Sequence, residues 1–356
     1  MKFSATPTRR SLVLGAASLP LATPLIWTRR AIAAQQLVVR TPGGVFDEVK
    51  KKLVYDPFRE ATGIEIIPAA STAAKLLAMF KAGQVEIDVI DTGDDVLLEL
   101  EKAGALEEIP YKNFTYTNPD DIDATVRTKY QVGSFVYAFV LGFNTTAFAT
   151  GKEPQNWTEF WDIKTFPGTR TLADMASGAP NLEIALIADG VPMDKVYPID
   201  IERAFKSLSR IKPAVPKFWD TGALSAQMLA DKEAALAVIW STRVQVAADG
   251  GAKVGSHWNQ NQVLAQAYGL SKGTPKMAEG VKFIDYSLSP EVQARWLGAY
   301  EAIPVNQKAY PKTAPQLLDP AANVPWTKSK GFRNDITWWS DNRSKVSATW
   351  NKWVLQ

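Results

Sequence analysis

Leu37-Val38-Val39-Arg40, Ile64-Glu65-Ile66-Ile67 and Ile87-Asp88-Val89-Ile90 are three short apolar runs. Each is followed by a turn and then by apolar residues at helical spacing. Thr41-Pro42-Gly43-Gly44 ends the first run, and Phe46, Val49 and Leu53 mark the helix behind it. Pro57 restarts that helix with Asp56 as its N-cap, and Thr62-Gly63 stops it. Ser71 or Thr72 caps a second helix that carries Leu76, Leu77, Met79 and Phe80, while Asp91-Thr92-Gly93-Asp94-Asp95 leads into a third, Val96 to Ala103. Strand then helix, three times over, predicts a mostly parallel sheet covered on both faces. Ligands of such sheets bind beyond the carboxyl ends of the strands. That singles out two loops, Thr41 to Gly44 and Asp91 to Asp95.

The pattern changes near Val132. Phe135 to Leu141 is an apolar strand long enough to cross between lobes. A Pro/Asn turn then feeds an aromatic helix, Trp157-Thr158-Glu159-Phe160-Trp161, and further helices are expected near 181–189, 200–210 and 221–230. Ala234 to Trp240 reads as a buried strand, Ser241 starts another helix, and Val263 to Leu270 is a return strand. A helix from Pro275 to Leu288 follows. The closing helix, Asp335 to Leu355, has a core-facing stripe of Ile336, Trp339, Val346, Trp350 and Trp353. This is a second α/β unit, so two lobes are predicted. One takes residues 35–138 plus 263–303, the other 139–262 plus 304–356.

Residues 1–33 read as an address. Thr8-Arg9-Arg10-Ser11-Leu12 matches the twin-arginine export pattern, a moderately apolar run to Trp27 follows, and Ala31-Ile32-Ala33 is a small-x-small cleavage site. The expectation is a soluble, unanchored protein of the periplasm. The chain has 356 residues, no Cys and one His, His257, and its net charge of +3 includes five cations in residues 1–33. The remainder is therefore slightly acidic, with no basic stripe for nucleic acid. Zinc sites built from His and Cys are excluded. A Ser-His-Asp hydrolase would rest entirely on His257, which reads better as a partly exposed residue at a strand end.

Several segments, taken in order, resemble the periplasmic solute-binding proteins of ABC importers (extracellular solute-binding protein family 1), in the branch that includes the spermidine/putrescine binders. They are Phe58-Arg59-Glu60-Ala61-Thr62-Gly63-Ile64, Asp88-Val89-Ile90-Asp91, the Trp157 to Trp161 helix with Phe166-Pro167-Gly168, and Leu229-Ala230-Asp231-Lys232-Glu233. Trp258-Asn259-Gln260, Lys282-Phe283-Ile284-Asp285-Tyr286 and Ile303-Pro304-Val305-Asn306 complete the set. The resemblance implies a type II fold: two α/β lobes, each a mostly parallel sheet flanked by helices, closing on a ligand about a hinge. It also implies a membrane permease as partner, a monomer, no cofactor and no reaction.

The segments that match the family's cleft contain Thr41, Gly43, Gly44 and Phe46, then Asp91, Thr92 and Asp94, then Trp240 and Ser241. Trp258, Asn259, Gln266 and Glu301 follow. Aromatic faces and carboxylates suit an ammonium leaving water. Yet Gln266 stands where many relatives carry an Asp, and the Gly43-Gly44 turn opens onto a helix start that favours an anion. The expected ligand is a small amine, polyamine-like or also bearing a carboxylate. The alternatives are an amino-acid derivative, iron(III) or an anion on the same fold, an exported hydrolase, or a sensor partner.

Overall fold

The structure, a computed structural model, describes residues 35–178, 180–295, 299–300, 302–312 and 331–356. The expected signal peptide, residues 1–33, and Glu301 lie outside the described residues. Nine strands are described: β1 Gln35–Thr41, β2 Ile64–Ala70, β3 Val89–Gly93, β4 Leu106–Glu107, β5 Gln131–Asn144, β6 Arg170–Thr171, β7 Leu236–Trp240, β8 Val254–Ser271 and β9 Gly331–Arg333. They form one sheet in the order β2-β1-β3-β8-β5-β7-β6, with β4 and β9 also on β8.

The predicted parallel pairing occupies the two flanks, β2-β1-β3 on one and β7-β6 on the other. The centre is antiparallel, because β5 and β8 run against each other from Gln131↔Gly269 to Asn144↔Val254. Both strands are longer than the sequence pattern indicated. Their ends are less apolar than their middles, which hides them from a hydrophobicity reading. Pro68 sits in β2, an edge strand, where its missing N–H is tolerated.

Two large apolar clusters flank this centre. One contains Leu37, Val39, Phe58, Phe135, Tyr268 and Phe283. The other contains Trp157, Phe160, Leu186, Trp219, Val238 and Trp350. The stripe on the closing helix, Ile336–Trp353, is buried at Trp339, Val346, Trp350 and Trp353. The Asp335 side chain caps that helix by accepting from the Trp338 N–H.

One local expectation fails. Asp56 does not start a new helix: Val45–Lys50, a π-helical segment Lys51–Tyr55 and Asp56–Thr62 run on continuously. Its carboxylate instead meets Lys51 at 2.6 Å. Pro57 has no N–H to donate into the preceding turn, and that turn is the π-helical segment Lys51–Tyr55, so the chain runs on through Pro57 without a cap.

Candidate functional site

Three strands end at the same place. β1 ends on Arg40 and Thr41, β3 on Thr92 and Gly93, and β7 on Trp240. Each is followed by a turn or helix start, so their carboxyl ends frame a cleft of about 260 Å³. Gly43 and Gly44 both have positive φ, 81° and 65°, which lets the chain turn from β1 into the helix that carries Phe46.

The wall of the cleft is aromatic. Phe46 packs on Phe135 and Tyr300 with ring centroids 6.1 Å and 6.0 Å away. Tyr137 meets Trp240 edge-on at 6.1 Å, and Trp240 is held from behind by Trp219 at 5.2 Å. Thr92, Ser177, Thr242 and Gln266 add polar groups to this lining.

The charges decide the chemistry. Arg40 and Arg243 line the cleft, as does Asp95. Arg40 is occupied with backbone, donating Nε to Ser71 O at 2.8 Å and Nη1 to Asp91 O at 2.9 Å. Arg243 forms no ion pair among the described residues. Among the described residues its Nε is a buried donor without an acceptor, and so is Trp240 Nε1. Burial raises the pKa of the Tyr137 and Tyr300 hydroxyls above the usual 10; Asp95 and Asp94 add to this at Tyr137, and the Arg243 charge opposes it at both. The Tyr137 hydroxyl therefore senses a carboxylate and a guanidinium together.

Asp95 also takes part in an ionic ladder. The helix Asp94–Lys102 is tied to β9 and the C-terminal helix by Asp94 with Arg333 at 2.9 Å, Asp95 with Arg343 at 2.7 Å, Glu99 with Arg343 at 3.0 Å and Lys102 with Asp341 at 2.8 Å. Arg343 also donates to Gly178 O. Burial pushes the Asp94 carboxyl up to about 7, against the opposing pull of Arg333.

Of the residues singled out in the sequence, Phe46, Thr92, Trp240 and Gln266 line this cleft. The others are placed differently. Thr41 is fully buried, and its hydroxyl donates to Asp47 at 2.9 Å. Asp91 is also fully buried; it pairs with Lys50 Nζ at 2.7 Å and accepts from Gln266 Nε2 at 2.8 Å. Asp94 is spent on Arg333. Ser241 is buried under β5, where its Oγ faces the Ala138 N–H at 3.4 Å. Gly43 and Gly44 shape the turn beside Pro42, which does line the cleft.

Trp258 packs against the apolar clusters, and Asn259 is exposed and bonds Gln155 O at 3.2 Å. They sit at the far end of β8 from Gln266. His257 beside them stacks on Phe143 at 4.9 Å and bonds Glu153 at 3.1 Å. That is the structural role read for it.

The sequence reading missed Arg40, Arg243, Phe135 and Tyr137 as lining residues, and it named the loop Asp91 to Asp95 without picking out Asp95 itself. Arg243 had a usable signal. It lies in the first turn of the helix Ser241–Asp249, where a cation opposes the helix dipole and calls for a reason. Another hollow of about 280 Å³ lies elsewhere, walled mainly by Leu76, Met79, Phe80, Ile90 and Leu100. It has no carboxylate or guanidinium to orient a ligand. Among the described residues no helix is long and apolar enough to cross a membrane, and no three His, Asp or Glu side chains converge to hold a metal ion.

Comparison with known proteins agrees with this architecture. Residues 54–324 match the family described as bacterial extracellular solute-binding protein. A gamma-aminobutyric acid-binding protein of Pseudomonas aeruginosa is 27% identical over 334 residues, covering 91% of this chain and 92% of that one. A putrescine/agmatine-binding protein of the same organism is 24% identical over 271 residues, 67% and 70% of the two chains. Among solved structures, a GABA receptor is 32% identical with a TM-score of 0.80, covering 90% of this chain and 97% of that one. The A. tumefaciens R10 protein AgtB, in complex with agropinic acid, is 28% identical with a TM-score of 0.79, covering 90% and 99%. The chain belongs to the bacterial extracellular solute-binding proteins; it is a solute-binding component of an ABC transporter for small ligands, not an enzyme.

Proposed function

We propose that the cleft captures a small zwitterion that carries an amine and a carboxylate, with gamma-aminobutyrate (GABA) as the type case. The observation that carries this reading is the pair of buried, unpartnered donors, Arg243 Nε and Trp240 Nε1, in a cleft that also holds Asp95. A guanidinium and an indole N–H suit a ligand carboxylate. Asp95 and the Tyr137 and Trp240 faces suit its ammonium. A polyamine fits less well. It would need two carboxylates, but Asp91 and Asp94 have cations of their own, and Asp95, the one carboxylate among the described lining residues, is already shared with Arg343 at 2.7 Å. The relatives named for GABA and for agropinic acid point the same way. The relative named for putrescine and agmatine keeps diamines in the test.

The two lobes, bounded as the sequence indicated, would close about the crossing strands β5 and β8 and present the closed form to a membrane permease. The protein would work in the periplasm as a monomer, exported through Arg9-Arg10. Replacing both by Lys should retain the precursor in the cytoplasm, and undiminished export would remove the twin-arginine route.

Titration calorimetry of the protein freed of residues 1–33 is the direct test of the ligand, using GABA, putrescine, butyrate and 4-aminobutanamide. Saturable binding is expected for GABA, with putrescine and the amide far weaker. Putrescine binding as tightly as GABA would overturn the zwitterion reading.

A further inference from the structure

Behind the cleft wall lies a second set of groups suited to an ammonium, and the chain fills it with its own side chain. Lys50 is the last residue of the helix Val45–Lys50 and is fully buried. Its Nζ lies 2.7 Å from Asp91 Oδ2 and hydrogen-bonds the Tyr268 hydroxyl. The same atom stands 4.4 Å from the Tyr268 ring centroid and 5.5 Å from that of Phe46. A carboxylate and two aromatic faces are the groups that receive an alkylammonium leaving water. Burial alone would lower the Lys50 pKa, but Asp91 and Tyr268 outweigh it and leave it raised.

Stability gives little reason for such a pair, since an apolar pair of similar volume is often as stable. Its position gives a better one. Phe46 borders both Lys50 and the cleft, and Gln266, which lines the cleft, donates to the other oxygen of Asp91. Arg40, also in the lining, bonds the Asp91 carbonyl.

We infer that Lys50 is a specificity-determining residue: a tethered ammonium that occupies an amine subsite next to the cleft and so denies Asp91 to the second amine of a diamine. This deepens the zwitterion reading and rests on it for its consequence. The occupancy itself is testable without any cleft ligand.

Lys50→Ala removes the equivalent of n-propylammonium. That ion is the probe, added to Lys50→Ala and to the double variant Lys50→Ala/Asp91→Asn, with sodium chloride at equal ionic strength as control. Lys50→Ala should melt below the native protein and recover most of the difference with n-propylammonium but not with sodium chloride. The double variant should not respond to the amine. Equal recovery with both salts, or equal recovery in both variants, would overturn the inference.

Should Lys50→Ala fail to fold alone, n-propylammonium in the refolding buffer should restore it. Failure to do so, while the double variant folds, would also overturn the inference. In folded Lys50→Ala, putrescine should gain at least about tenfold in affinity, the scale of one close charge pair; no gain there would refute the specificity role. Weak GABA binding by the native protein would instead strike the zwitterion reading, and the rescue result would stand apart from it.

Discussion

Arg243→Gln isolates the anchor proposed for the ligand carboxylate. Glutamine keeps a hydrogen-bonding amide and loses the charge. Because Arg243 makes no ion pair among the described residues, its loss breaks no internal bridge. A change within about 0.5 kcal/mol is expected, or a melting shift of no more than roughly 2 °C for a chain of this size. Binding should respond quite differently. Removing one partner of a buried, hydrogen-bonded charge pair costs about 2–5 kcal/mol. At about 1.4 kcal/mol per factor of ten, that is roughly 30-fold to a few thousand-fold in GABA affinity. Calorimetry on native and variant protein, each with GABA and with 4-aminobutanamide, makes a cycle in which only one corner has both charges. The amide should bind both proteins alike. A GABA loss below about threefold, or an equal loss for the amide, would refute the placement of the carboxylate on Arg243.

Three further outcomes follow from named contacts. A Cβ on Gly222 would come within 2.7 Å of Arg243 Nε and the Trp240 ring, so Gly222→Ala should weaken GABA binding and cost about 1–3 kcal/mol in stability by denaturant unfolding; unchanged affinity would mean these side chains do not set the site. Asp285 accepts the N–H groups of Thr115, Tyr116 and Thr117 at 2.5, 3.0 and 2.8 Å, so Asp285→Ala should destabilise by about 1–3 kcal/mol in denaturant unfolding, the cost of leaving the one buried donor, Thr117, unmet. Asp94 binds its proton more tightly folded than unfolded, its pKa moving from 3.8 to about 7 through burial. Its contribution to stability is therefore fullest below the unfolded value and declines as pH rises toward about 7. Denaturant unfolding across that window should show a shallower decline for Asp94→Asn, and parallel curves would contradict the shift.

Much of the frame was legible because it is written in local pattern. The strands around Leu37, Ile64 and Val89, the aromatic helix at Trp157 and the tryptophan stripe of the closing helix all carry their period in adjacent residues. Because β1, β3 and β7 were found, their carboxyl ends were found too, and with them Phe46, Thr92 and Trp240. Trp258 shows where this fails. It matches a family segment, but its position along an 18-residue strand sets it far from Gln266, and no local rule measures how far a strand runs.

What the sequence by itself determined was the class of fold, the ends of the strands that frame a cleft, and an aromatic lining for it. Only the tertiary structure decided which charges are paired within the chain. Asp91 reads as an amine partner until Lys50 is seen beside it, with Tyr268 reaching the same ammonium from 218 residues away. Asp94 reads likewise until β9 supplies Arg333. Arg243 passes unnoticed until it proves to have no ion pair among the described residues. A charge is settled by its nearest counter-charge, since Coulomb attraction at contact outweighs every more distant pair. In this fold those counter-charges come from segments remote in the chain.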